Sequence, residues 1–161
     1  MNKMFLLVAL SFLFSCTTTK YYIVRHAEKE PATTMSSDVL LTPYGKQRAI
    51  ALKDQLKGKK ISHIYSTNLA RTRETAMPLS IAKGVAIENY GSVDTSFLNR
   101  LKNLPKGNIL IVGHSNTVDD IVNGLTGKPM LKDLDESRYG DLFIVKKRNN
   151  HFYFQQKMFG K

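Results

Sequence analysis

Three features of the sequence predict an α/β protein with three α/β/α layers around a mainly parallel sheet that ends in a C-terminal hairpin. Short runs of strand-forming residues, at 21–24, 61–66 and 108–112, are separated by helix-length segments. Helix-start signals follow these runs, at Thr42-Pro43, Asn68 and Thr117. Near the C-terminus, residues 142–147 and 151–156 flank Asn149-Asn150, a turn pair that favours a hairpin.

The chain has 161 residues, 42% hydrophobic and 23% charged, which fits one domain with an ordinary core. Lys3 is followed by the almost wholly apolar run 4–14, which is too short to cross a bilayer as a helix, so residues 1–15 read as a signal peptide. Leu13-Phe14-Ser15-Cys16 resembles the lipobox of bacterial lipoproteins. Cys16 is therefore the expected lipid attachment site, with 16–20 a linker and 21–161 the folded domain. This implies an exported, membrane-anchored protein of the bacterial cell envelope. As the only cysteine in the chain, Cys16 rules out an internal disulfide and any cysteine-based zinc site.

In chain order, 21–24 forms the first strand and delivers Arg25 and His26 to its end. Residues 30–40 have loop composition beside that end. A helix then starts with Thr42 as N-cap and Pro43 at its first position, carries Ala49, Leu52 and Leu56 on one face, and ends at Gly58. After the second strand, Asn68 is placed to cap a helix running from Leu69 to Lys83, kinked at Pro78, with Arg71 in its first turn. A third strand is expected at 85–90 and a helix at 94–104. The clearest βα unit follows: strand 108–112, the turn Gly113-His114-Ser115, and a helix opened by a capping box of Thr117 and Asp120. Residues 133–140 read as loop.

Three strand ends thus present Arg25 with His26, Arg71, and His114. A phosphoryl group carries negative charge that redistributes in its transition state, and fixed guanidinium and imidazole donors stabilise it without rearranging. The formal charge of +11, from 24 basic against 13 acidic residues, also favours anionic partners. For an exported protein these are phosphorylated small molecules or a membrane surface. Nucleic acid is not expected, because the aromatic residues are not interleaved with the charges on one strand face.

Arg25-His26-Ala27-Glu28 resembles the first signature of the histidine phosphatase superfamily, which has the phosphoglycerate-mutase-like fold. Residues 65–76, with Arg71 among them, resemble its second motif and Val112-Gly113-His114-Ser115 its third; Leu41-Thr42-Pro43-Tyr44-Gly45 is also family-like. The chain is nearer in length to the small bacterial phosphohistidine phosphatases than to the mutases. The resemblance implies a metal-independent phosphatase without cofactor. His26 would become phosphohistidine, and Arg25, Arg71 and His114 would form the phosphate pocket. Ser115 and Asn116 are further candidates for phosphate binding. The opposed needs of a nucleophilic His26 and a cationic His114 predict that their pKa values are driven apart. Glu28-Lys29-Glu30-Pro31 departs from the family pattern, and Glu88, Asp94 and Glu28 are the candidates for the acid that protonates the leaving group.

Two other functions compete with this reading. One is a catalytically weak phosphate-binding lipoprotein of the same fold. The other is a zinc protein built on the four histidines, which lack metal-ligand spacing.

Overall fold

The computed structural model describes residues 18–32 and 37–160. The expected signal peptide, Cys16 and part of the 30–40 loop lie outside the described residues. Six strands form one sheet in the order β3-β2-β4-β1-β5-β6. These are β1 (Thr18–Arg25), β2 (Ile61–Ser66), β3 (Ile87–Asn89), β4 (Asn108–Gly113), β5 (Asp141–Arg148) and β6 (His151–Met158). The first four are mutually parallel, whereas β5 runs antiparallel to both β1 and β6. Four helices, α1 (Pro43–Leu56), α2 (Ala70–Lys83), α3 (Thr95–Asn103) and α4 (Val118–Thr126), complete the predicted three layers.

The period of two in β1 assigns the faces. Tyr21 and Ile23 pack against α3 and α4 through Phe97, Leu101, Ile121 and Leu125. Tyr22 and Val24 pack against α1 and α2 through Leu52, Leu56, Ala76 and Leu79. A strand buried on both sides must be apolar throughout, which is why 21–24 shows no polar alternation. At the distal edge the hairpin turns through Asn149 and Asn150, both with positive φ (48° and 61°), the geometry of a type I′ turn.

β1 starts at Thr18 rather than Tyr21, so residues 18–20 belong to the sheet and not to a linker. Thr18, Thr19 and Lys20 pair with Arg148, Lys147 and Lys146 of β5, register that the polar character of 18–20 concealed. Two expected helix caps are also different. The N-cap of α2 is Leu69, without a side-chain bond, and the Ala70 amide is taken instead by Asp38 Oδ1 at 2.7 Å from the loop after β1. Thr117 is the N-cap of α4 but forms no capping box; its hydroxyl turns back to accept from the His114 amide at 2.8 Å. Thr42 does cap α1, accepting from the Gly45 amide at 3.0 Å.

Gly45 lets α1 lie directly on the chain leaving β1. A Cβ at this position would stand 2.1 Å from the Glu28 carbonyl oxygen, a backbone atom with little room to yield. Gly45→Ala is expected to destabilise the fold by about 1–3 kcal/mol, the usual cost of overpacking, as read from the midpoint of urea unfolding.

Candidate active site

The parallel ladder continues one step past the end of β1, where the His26 amide donates to the Gly113 carbonyl at 2.9 Å and carries the imidazole out over the sheet edge. His26 Nδ1 lies 2.8 Å from the Ala27 carbonyl oxygen. A carbonyl oxygen only accepts, so Nδ1 holds the proton and Nε2 keeps its lone pair. The Ala27 amide is in turn bonded to Thr75 Oγ1 at 2.9 Å, which ties this turn to α2.

His114 follows β4, its ring centroid 5.5 Å from that of His26 and set edge-on to it. Its Nε2 is 2.9 Å from Thr67 Oγ1, which is itself 3.0 Å from Thr72 Oγ1. The Thr72 hydroxyl proton goes to a backbone carbonyl, of Leu69 at 2.8 Å or of Thr67 at 3.0 Å. Thr67 then donates to Thr72 and accepts from His114, which places the His114 proton on Nε2. Gly113 makes this turn possible, because a Cβ there would meet Thr117 Oγ1 at 2.6 Å and the Tyr90 hydroxyl at 2.8 Å.

The two cations complete the group. Arg25 is only 3% exposed, and Arg71 reaches in from the first turn of α2, its Nη1 donating to the Ser37 carbonyl at 3.3 Å. The Nε atoms of both are buried and form no hydrogen bond among the described residues. Two unpaired guanidinium N–H groups beside two imidazoles make a pocket whose chemistry is complementary to an oxyanion. The structure thus brings together all four residues singled out in the sequence.

The histidine pKa values do not move apart. Burial lowers His26 to about 3, only partly offset by its bond to Ala27, and the charges of Arg25, His114 and Arg71 push the same way. Burial also lowers His114 to about 4, helped by Arg71 and Arg25 and opposed by Glu136. Both rings are desolvated by the same walls and face the same two guanidinium groups, so both are neutral until an anion enters.

Of the three carboxylates considered as acids, two are engaged elsewhere. Glu28 takes both of its oxygens to Arg48 Nε, at 2.8 and 2.9 Å, and joins α1 to the C-terminal segment through the bond from Arg48 to the Gly160 carbonyl. Asp94 caps α3, accepting from the Phe97 amide at 2.8 Å. Glu88 is exposed on the edge strand β3, in register with Tyr65.

The carboxylate at the site is Glu136, in a loop where the sequence shows no motif. It forms an ion pair with Arg25 Nη2 and accepts from Ser115 Oγ at 2.5 Å. Arg25 Nη1 also gathers the carbonyls of Glu136 at 2.7 Å and Asp135 at 3.2 Å, while the Tyr139 ring lies over the guanidinium at 4.5 Å. The same ring is 6.1 Å from His26. Arg25 therefore folds residues 135–139 over His26, and Ser115 reaches the site by way of Glu136. Tyr139, Thr67 and Glu136 were not visible as site residues in the sequence. Their roles come from loop closure and hydroxyl pairing across elements, which leave no local pattern. His63 stacks on Tyr65 and His151 lies at the hairpin turn, so the four histidines do not converge.

The structure is a mixed α/β fold that gathers two arginines and two histidines at the ends of its parallel strands. Residues 21–91 match the model of the histidine phosphatase superfamily (branch 1). The probable phosphoglycerate mutase GpmB of Salmonella choleraesuis (strain SC-B67) is 33% identical over 90 residues, which are 53% of this chain and 38% of that relative. The chain thus spans well under half the length of this curated relative. Among solved structures, the protein histidine phosphatase SixA complexed with tungstate superposes with a TM-score of 0.70 at 18% identity, over 87% of this chain and 97% of that one. A phosphoserine phosphatase from Entamoeba histolytica in complex with 3-phosphoglyceric acid gives 0.63 at 18%, over 89% and 97%. These structures share the fold, and with the sequence matches they support the histidine phosphatase superfamily.

The depressed histidines make a prediction about stability. A base whose folded pKa lies below its ordinary value contributes stability that is complete above about pH 6.5 and is lost as pH falls from there towards the folded value. Between pH 7 and 5, where carboxylates stay ionised, the melting temperature of the wild type should fall more than that of a His26→Ala/His114→Ala variant. Parallel curves would contradict the two pKa shifts.

Proposed function

We propose that this protein is a metal-independent phosphatase that hydrolyses phosphomonoesters through a phosphohistidine on His26. One observation carries the reading: the Ala27 carbonyl holds the Nδ1 proton, so Nε2 keeps its lone pair at neutral pH beside His114 and two guanidinium groups. In the first step Nε2 bonds to phosphorus and the ester P–O bond breaks, the departing oxygen taking a proton. In the second, water attacks phosphorus, the P–N bond breaks and phosphate leaves. Arg25 and Arg71 balance the phosphoryl charge throughout. His114, neutral when the pocket is empty, takes up a proton as the dianion enters and then donates to it. Ser115 and Arg25 hold the Glu136 carboxyl below its usual range while the site is empty, so it gives the leaving group a proton, and takes one back from the attacking water, only after phosphate has displaced it from both and it has taken up a proton.

The neighbour named as a phosphoserine phosphatase, in complex with 3-phosphoglyceric acid, supports phosphorylated small molecules as substrates of this fold. Residues 4–14 and the lone Cys16 support an exported lipoprotein anchored in the cell envelope. A phosphate-binding protein with little turnover is the alternative favoured by one feature, the ion pair that already occupies Arg25.

Hydrolysis of p-nitrophenyl phosphate in EDTA tests the proposal. His26→Ala should abolish turnover, and Arg71→Ala should lower kcat by roughly 10²–10³-fold, the effect of removing one donor to transition-state charge. Phosphate binding without turnover in the wild type would favour the alternative, and loss of activity in EDTA would overturn the proposed chemistry. Glu136→Gln tests the acid separately: it should lower kcat for poor leaving groups such as alkyl phosphates more than for p-nitrophenol, which leaves without protonation. An equal loss for both would remove Glu136 from that role.

A further inference from the structure

The net charge is not spread evenly over the fold. Helices α1, α2 and α3 end, and strands β1, β2 and β4 begin, at the sheet edge opposite His26. Lysines cluster there. Lys20 sits in register with Asn108 and Lys146, Lys60 precedes β2, and Lys83 at the end of α2 donates to the Lys57 carbonyl. Lys147 reaches the Lys102 carbonyl at the end of α3, at 2.7 Å. Cations at helix C-termini complement the dipole, which explains some of these positions. It does not explain the shortage of acids. Among the described residues Asp54, beside Lys53, is the one carboxylate at this edge. Acids gather at the other edge instead, in the loops and helix starts that hold Glu28, Asp94, Asp119, Glu136 and Asp141.

Two clefts share Lys20 and Lys146. One, of about 380 Å³, starts at this edge beside Lys59 and runs along the α1 face of the sheet past Tyr153 towards Leu142 and Lys157. The other, of about 510 Å³, is walled by Thr18, Lys60, Lys106 and Asn108. Tyr153 is 57% exposed and stands opposite Lys146 across the β5–β6 pair, an amphipathic ring among cations as found at membrane interfaces. Thr18, in the wall of the second cleft, is where the chain bearing the apolar run 4–14 enters the fold.

We propose that this lysine edge docks on an anionic phospholipid surface, headgroup phosphates seating in the two clefts, so that the His26 edge is turned away from the membrane. Charge complementarity selects the occupant. A single apolar or lipid anchor holds a protein to a membrane only marginally, and a basic patch beside it supplies the second attachment. The proposal rests on the distribution of charge and not on the phosphatase reading.

The full chain is mixed with vesicles of phosphatidylcholine alone or enriched in phosphatidylglycerol, and binding is read by co-sedimentation. The N-terminal apolar run contributes equally to both vesicle types, so their difference isolates the charged face. Wild-type protein should partition about tenfold or more in favour of the anionic vesicles. High salt should remove that preference, as should Lys20→Gln/Lys60→Gln/Lys146→Gln, with folding checked by thermal melting. Lys29→Gln/Lys46→Gln/Lys132→Gln removes the same charge elsewhere and should keep the preference. Equal wild-type binding to both vesicles, or equal loss in the two triple variants, overturns the docking face. Displacement from anionic vesicles by a random-sequence oligonucleotide at lower concentration than lipid would assign the face to nucleic acid and overturn it as well. None of these readouts requires turnover, so an inactive protein leaves the test intact.

Discussion

A buried guanidinium at the end of β1 sets the conditions under which the rest of the site forms. Arg25 is almost wholly enclosed, and a charge taken out of water must find partners or be neutralised. An arginine does not lose its proton, so the surroundings have to come to it. They do so as a loop whose carbonyls and Glu136 carboxylate bond its two Nη atoms and whose Tyr139 ring covers its face. Its Nε is left over, buried and without a hydrogen bond among the described residues.

The same charge accounts for the state of the histidines. With two cations and little water near them, neither ring holds a proton readily, and both pKa values fall. For His26 this means that the ring stays neutral, with a free lone pair, at neutral pH. For His114 it means that donation to an anion depends on the anion's arrival. Protonation and binding are coupled there, and an empty pocket avoids four clustered positive charges.

Glu136 resolves the remaining imbalance while the pocket is empty. Its carboxylate lies against Arg25 and Ser115, the groups to which a phosphoryl oxygen would be drawn. Being largely exposed, it can leave at modest cost. The contact also holds the loop of residues 135–139 in place. At the far edge the opposite arrangement obtains, with lysines lining both clefts and Asp54 the one carboxylate there among the described residues. The topology produces this polarity, because parallel strands with returning helices send every strand start and helix end to one side.

The sequence by itself determined the layers, the strand that carries Arg25 and His26, and the four residues that meet at the strand ends. These are legible because a buried strand is an unbroken apolar run and because the fold places whatever follows such a run at one sheet edge. Local chemistry also determined the Thr42 cap and the Asn149-Asn150 turn, where one or two residues satisfy their own backbone. Tertiary structure alone decided what depends on distant partners. The strand status of Thr18–Lys20 comes from pairing with β5, and the start of α2 is capped by Asp38 rather than by its neighbour Asn68. Glu28 and Asp94 sit where a proton donor could be imagined, yet Arg48 and the α3 amides bind them first. Glu136, Tyr139 and Thr67 became site residues only when the loop closed on Arg25 and the hydroxyls met His114. A carboxylate's role is set by whichever cation or amide lies nearest in space, and spacing along the chain does not record that.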